Sequence, residues 1–203
     1  MTSEDYPDWK LLQHQNWKKK NWKKIMPKTI TPEELLVRYD NGERDFSGID
    51  LVLSSEAFFC YTGIELRNIV LRDILLRGAV LKEVDMREID LSGADLGGIF
   101  MENCNLHKAT IQDANLRGAC LQECTFNDVD LRGSNLDYIN ASFSSFRGAK
   151  IPSFEKAILV RTNFEGATGS DGKSSKICGR YSNNWLCNTI MPDGKEIIEA
   201  KFC

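Results

Sequence analysis

Between Tyr61 and Ile151 every fifth residue is uncharged and all but one is a large apolar side chain, through 19 consecutive positions. The series runs from Tyr61, Leu66, Leu71 and Leu76 to Leu131, Leu136, Ala141, Phe146 and Ile151. We call these positions centres. A second series lies two residues before each centre, from Phe59, Ile64 and Ile69 to Ile139, Ser144 and Ala149. Neither series contains a charge, although 27% of the chain is Asp, Glu, Lys or Arg. A period of five matches neither an α-helix nor a plain strand. Positions two apart share a side in extended chain, so each unit reads as a short strand segment followed by a turn that brings the next unit inward. The pattern therefore predicts an all-β solenoid whose inner residues stack coil upon coil.

Polar residues fill the outward positions, as in Arg67-Asn68, Arg72-Asp73, Lys82-Glu83, Arg87-Glu88 and Gln112-Asp113. Glycine recurs two residues after the centre at Gly78, Gly93, Gly98, Gly118, Gly133 and Gly148. That placement predicts a corner with a backbone angle that disfavours side chains.

Ala94-Asp95-Leu96, Ala114-Asn115-Leu116-Arg117-Gly118 and Ser134-Asn135-Leu136 resemble the A(D/N)LXX units of pentapeptide-repeat proteins. The resemblance covers roughly residues 45–167. It implies a right-handed quadrilateral β-helix with four units per coil. Residues twenty apart would then stack, placing Leu76, Leu96, Leu116 and Leu136 in one inner column. The chain departs from the family in having Ile or Val two before many centres, which implies a fuller or slightly wider coil. The stretch 31–51 and the segment Asn188-Thr189-Ile190-Met191-Pro192-Asp193-Gly194 resemble the lead-in and C-terminal motif of cyanobacterial members.

Three segments follow: a helical N-terminal cap at 1–44, the β-helix at 45–167, and a C-terminal loop and cap at 168–203. Thr31-Pro32-Glu33-Glu34 has the form of an N-cap, Pro in the first turn and a capping-box Glu. An earlier helix is expected over about 7–24, with Trp9, Leu12, Trp17 and Trp22 on its apolar face. The repeat breaks between Leu51 and Tyr61, where Glu56 occupies a centre position. It breaks again after Ile151-Pro152, with Leu159 and Phe164 resuming the period displaced by three. Ile197, Ile198 and Phe202 are expected to pack a short terminal element onto the last coil.

The charge is uneven: net +2 over 1–44, −6 over 45–167 and +1 over 168–203. No apolar run is long enough to span a membrane and no signal-like segment opens the chain, so a cytoplasmic protein is expected. Of seven cysteines, Cys104 and Cys124 fall in the inner series twenty residues apart and read as small, reduced core residues. Cys178, Cys187 and Cys203 lie in the tail, where a disulfide is left open and a zinc site lacks both spacing and His.

No catalytic, cofactor or metal constellation emerges. His14 and His107 are the only histidines, and neither has a nucleophile or carboxylate arrangement around it in sequence. The glycines follow the period of five and not a phosphate-binding loop. The chain reads as a non-catalytic scaffold that binds an unknown protein partner. The stacking register puts Arg67, Arg87, His107, Asn127 and Arg147 in one outward column as the candidate surface. The Trp17–Lys24 run, with Trp17 and Trp22 among lysines, is a second candidate, either for nucleic acid or an anionic membrane surface or as a capping helix packed on the first coil. Some members of the resembling family mimic duplex DNA toward type II topoisomerases. Here 12 cations offset 18 anions over 45–167, which weakens that reading, and the same mixture lacks the basic stripe that nucleic acid requires.

Overall fold

Parallel pairing at an interval of twenty residues organises the chain. The computed structural model describes residues 28–46, 49–51, 60–62, 65–173, 177–178 and 182–203. Four ladders rise along it. One joins the strands β3 (Cys60–Thr62), β4 (Val80–Lys82), β5 (Phe100–Glu102) and β6 (Cys120–Gln122), as with Val80 beside Phe100 and Phe100 beside Cys120. The other three are rows of single bridges: Asp85–Asn105–Thr125–Ser145, Val70–Asp90–Thr110–Asp130–Lys150 and Leu75–Asp95–Asn115–Asn135. We call the four sides A to D in chain order, A carrying the three-residue strands. Twenty residues thus separate stacked positions in each of the four rows, and the chain is a parallel β-helical repeat.

Among the described residues both inner series are buried, with Leu66 only partly so. Leu96, Leu116 and Leu136 are at most 1% exposed, and Ile69, Ile74, Val84, Ile89, Ile99, Val129 and Ile139 are equally closed off. On side B the centres Phe126, Phe146 and Phe164 stack with ring centroids 4.8 and 5.2 Å apart, the spacing of neighbouring strands. Inner polar residues satisfy themselves: Ser134 and Ser144 donate to the carbonyls of Ile111 and Leu121, and Thr162 donates to Ala141 at 2.9 Å. Cys104 and Cys124 are free and buried as expected; the neighbouring Cys104 sulfur, and then burial, push the Cys124 thiol above its ordinary range.

The corner angle extends well beyond the glycines. The residue two after the centre has positive φ unit after unit, including Asn68, Asp73, Glu88, Asp113, Asp128, Tyr138 and Phe143. Glycine is required where space is also short. At Gly133 (φ 78°) an added Cβ would collide with the Asp113 carboxylate of the coil below. Gly133→Ala is therefore expected to cost about 1–3 kcal/mol. Gly118→Ala, with a similar φ of 70° but open space, should cost less. Equal denaturation midpoints for the two variants would contradict the crowding argument.

The second break is a contraction. Ile151, Phe154, Leu159 and Phe164 are the successive inward centres, so one side spends three residues where five are usual. Asn140 pairs with Ile158, Ser145 with Asn163 and Lys150 with Thr168, eighteen residues apart. Pro152 lies on the shortened side, where it has no N–H to give to a ladder. The next coil is longer. β7 (Ile158–Val160) pairs with β8 (Trp185–Cys187) across 27 residues.

The chain then reverses. β9 (Thr189–Ile190) takes β10 (Glu196–Ile197) antiparallel, and β11 (Lys201–Phe202) lies antiparallel on β8. This closes an edge that would otherwise remain open. Ile197 is half-buried, but Ile198 and Phe202 are each 68% exposed, contrary to the expected packing. The register explains Phe202: it sits opposite Trp185, whose side chain points outward, and its ring meets Trp185 edge-on at 4.5 Å. A disulfide joins Cys178 to Cys203 with Cα atoms 5.1 Å apart, and Cys187 stays free.

At the other end β1 (Lys28–Ile30) pairs in parallel with β2 (Ile49–Leu51). Helix α1 (Pro32–Asp40) starts where the sequence predicts: the Thr31 hydroxyl accepts from the Glu34 N–H, and Pro32 opens the first turn. Leu35 and Phe46 are buried, and the Tyr39 hydroxyl donates to the Arg67 carbonyl. The expected helix at 7–24, with Trp9, Trp17 and Trp22, and the irregular segment at Glu56 lie outside the described residues.

Candidate interaction surface

The residue before each centre sets the outer surface. On sides B, C and D it is mostly Asp, Asn, Thr or Ser. Where it is Asp or Asn, its side-chain oxygen accepts the N–H two residues on, as from Asn105 to His107 (3.1 Å), Asp90 to Ser92 (3.0 Å) and Asn163 to Glu165 (2.9 Å). This short-range bond explains why the repeat favours Asp and Asn there: it fixes the turn after each side. The following residue is then held outward at a repeating height.

On side B that residue is Arg67, Arg87, His107, Asn127, Arg147 and Glu165 in successive coils, tied by the backbone bonds Asn68 to Arg87, Glu88 to His107, Lys108 to Asn127, Asp128 to Arg147 and Gly148 to Glu165. The structure therefore brings Arg67, Arg87, His107 and Arg147 into one column, as the register predicts. The column has two halves. Arg67 and Arg87 both turn onto Asp85, at 2.6 and 2.8 Å. Above them a groove of about 420 Å³ opens, lined by His107, Asn127, Asp128, Arg147, Glu165 and two glycines. His107 Nδ1 lies 3.1 Å from the Asn127 carbonyl and 3.8 Å from Asp128. Arg147 pairs with Glu165 at 3.1 Å. The Asn127 side-chain oxygen accepts from Ser145 Oγ (2.6 Å) and the Arg147 N–H (3.1 Å), which fixes the floor.

Glu165 was not legible in the sequence. A strict period puts Ala167 in its place, and only the two-residue contraction at Pro152 lifts Glu165 into the column. Trp17 and Trp22 lie outside the described residues.

The outward carboxylates are largely engaged within the chain. Arg72 reaches Asp90 at 2.6 Å, Arg77 reaches Asp95 at 2.9 Å, and Arg132 reaches Asp130 at 2.6 Å. Each of these pairs joins neighbouring coils or neighbouring positions on one row. The hydrogen bond from Arg87 holds Asp85 below the usual carboxylate range, and that from Arg132 does the same for Asp130. For Asp90 and Asp95 burial opposes the shift, and hydrogen bonds from Ser92, Gly97, Arg72 and Arg77 outweigh it. A carboxylate depressed on folding contributes stability that is full above its unfolded pKa and is lost as pH falls through the folded value. The denaturation midpoint should therefore hold from neutrality to about pH 4 and fall below it, given an unfolded Asp near 3.9. A midpoint unchanged at pH 3 would contradict the role of these rows.

No group of three metal-ligating side chains converges among the described residues, and no described helix is long and apolar enough to cross a membrane.

The family model described as "Pentapeptide repeats" matches residues 62–98, 85–122 and 124–151, in eight copies. No curated protein matches the chain. Among solved structures, the chain is similar to trypsin-treated QnrB1, a plasmid-mediated fluoroquinolone resistance protein, at 17% identity over 72% of each chain with a TM-score of 0.44. It is also similar to HetL from the cyanobacterium Nostoc sp. strain PCC 7120, a pentapeptide-repeat protein involved in heterocyst differentiation regulation. There identity is 19% over 83% of this chain and 100% of that one, with a TM-score of 0.26. Rfr23 from the cyanobacterium Cyanothece 51142 matches at 17% identity over 70% and 97% of the two chains, with a TM-score of 0.30.

Proposed function

The chain belongs to the pentapeptide-repeat family, and we propose that it works as a non-catalytic interaction scaffold that binds a protein partner through the side B groove. The observation that carries this is the groove itself. On a rod whose charges are mostly paired row by row, His107, Asn127, Asp128, Arg147 and Glu165 form a concavity with donors and acceptors at fixed heights. A mixed pattern of this kind fits a partner of complementary pattern. It does not fit uniform phosphate charge, for which a basic stripe is needed. The duplex-mimic reading needs free acidic rows, and the Arg pairs on Asp85, Asp90, Asp95 and Asp130 weigh against it.

The test is affinity capture from native lysate with the full chain as bait. A specific protein is expected to be retained by the wild type, released as salt rises, and lost with Arg147→Glu. Arg132→Glu, on side C, should leave capture intact. A partner indifferent to the Arg147 change but lost with the Arg132 change would move the site off side B.

The finer architecture belongs to the same proposal: a right-handed quadrilateral β-helix, with residues 1–44 as its N-terminal cap, 45–167 as the rod and 168–203 as the closing segment. Four ladders at a twenty-residue interval support the quadrilateral form. Leu35 in the core and the Tyr39–Arg67 bond support the cap. Deleting residues 1–44 is expected to cause aggregation, because it uncovers the first coil; a soluble and equally stable truncation would sink the cap. A cytoplasmic location is part of the same proposal. The Cys178–Cys203 bond tests it, since such bonds persist chiefly in oxidising compartments. Thiol trapping at lysis, followed by mass analysis, should find that bond reduced in a cytoplasmic pool.

A further inference from the structure

Side A breaks the rule of the other three. In its outer row the residue before the centre is Val80, Phe100 and Cys120 in successive coils, then Asn140. Above Asn140 the same row continues with Ile158, Trp185 and, on β11, Phe202. Apolar residues cannot make the local bond to the N–H two positions on, and here the strands run three residues instead of bridging at one. The result is a three-residue-wide ladder with an apolar stripe along it. Ile158 is 44% exposed and Phe202 68%.

The corner beside this face carries a second row, with Glu123, Phe143 and Arg161 two residues after the successive centres Leu121, Ala141 and Leu159. Phe143 is 51% exposed, and the Arg161 guanidinium lies 5.6 Å from the centre of its ring. Among the described residues, no ion pair engages Glu123 or Arg161, whereas most charges elsewhere on the rod are paired. Two unpaired opposite charges thus stand one coil below and one coil above an exposed aromatic ring.

We propose that side A is an interface between two copies of this chain, packed face to face with the rods antiparallel. The order of residues along the two rows is complementary to its own reverse. A half-turn about the level of Asn140 and Phe143 sets Phe143 against its equivalent in the second copy. Glu123 of each copy then meets Arg161 of the other, twice by symmetry. Along the stripe Asn140 meets its own equivalent, and on either side of it Cys120 meets Ile158, Phe100 meets Trp185 and Val80 meets Phe202, apolar against apolar at those three rungs. Such self-complementarity is what a two-fold interface demands: if one residue meets another, the second must also meet the first. A parallel shift by one coil would instead set Phe143 against a charge. Aromatic residues and Arg at the centre, with few unpaired charges inside, also match the composition of protein interfaces. This surface is separate from the side B groove, and either can fail without the other.

Sedimentation velocity on the full chain across a wide concentration range tests the proposal. The wild type is expected to shift from the mass of one chain to that of two as concentration rises. Glu123→Arg and Arg161→Glu should each weaken this by about tenfold or more, since symmetry places the altered charge at two contacts. An equimolar mixture of those two variants should restore the dimer, because each altered charge then meets an opposite one. Phe143→Gly should also weaken it while keeping or raising thermal stability, since φ at 143 is 64° and glycine accepts that angle without strain. A wild type that stays monomeric throughout overturns the proposal. So does a dimer that the three variants leave intact, or a mixture that fails to pair better than either variant alone.

Discussion

Leu116→Lys is expected to abolish the folded state. Leu116 is fully buried in the middle of the inner column it shares with Leu96 and Leu136. Its backbone N–H bonds to Asn135 and its carbonyl accepts from Ala119, so the side chain has no route to solvent short of opening the coil. An unpaired ammonium inside an apolar stack costs several kcal/mol, and the lost Leu packing adds about 2–5 kcal/mol. A domain with roughly 5–15 kcal/mol of total stability does not absorb that sum easily. The contrast is Arg77→Glu on the outside of the same side. It removes a surface pair with Asp95 and should cost no more than about 1 kcal/mol. Circular dichroism in a urea titration reads both. Similar losses for the two substitutions would mean that the inward assignment is wrong.

Removing the Cys178–Cys203 bond is the second large effect expected. The bond closes a loop spanning 25 residues of separation, which includes the strands β8 to β11, and ties down the strand β11 that covers the edge of β8. In the chain-entropy account a loop of that size is worth about 2–4 kcal/mol. Cys203→Ser should lower the denaturation midpoint accordingly, and reductant should lower the wild type to the same value. Cys187→Ser is the control, since Cys187 is free and half-buried. If reductant left the wild-type midpoint unmoved, the bond would have no part in holding the C-terminal closure. Its loss should be felt locally first, because β11 is antiparallel, short and peripheral. Faster amide exchange at Trp185–Cys187 is the local signature.

How much of this was legible without coordinates differs from segment to segment. Burial of both inner series followed from the period of five alone, because an uncharged position recurring at fixed spacing in a heavily charged chain has nowhere to go but inward. The column of Arg67, Arg87, His107 and Arg147 followed from the same register, as did the N-cap at Thr31. Local chemistry decides such features, and local chemistry is written in adjacent residues. Glu165 was missed because its place depends on where a coil closes. The contraction at Pro152 shows in the sequence as a slipped period. Whether Phe154 fills the missing centre is settled by packing against Phe164, 6.5 Å away between ring centroids. The exposure of Phe202 was missed for a related reason. Reversal of the chain onto β8 determines which alternate residue faces out, and a reversal leaves no periodic trace.

The charges repeat the lesson at finer grain. From composition, the rod looked like a surface of scattered acids and bases. The structure ties Asp85 to two arginines, one from its own turn and one from the coil below, and leaves Glu123 and Arg161 without an ion pair among the described residues. Nothing within five residues of Glu123 announces that difference. It depends on what stands one coil above and below.

By itself, then, the sequence determined that the chain winds as a β-helical repeat, which residues fill its interior and which columns line its outside. A strict short period leaves one way to bury apolar groups and keep charges wet. Tertiary structure alone decided where coils shorten or lengthen, which two of the three tail cysteines pair, and which charges on the flat sides remain available. Those outcomes depend on contacts between residues eighteen to twenty-seven apart, and a shift of two residues in one coil changes every partner above it.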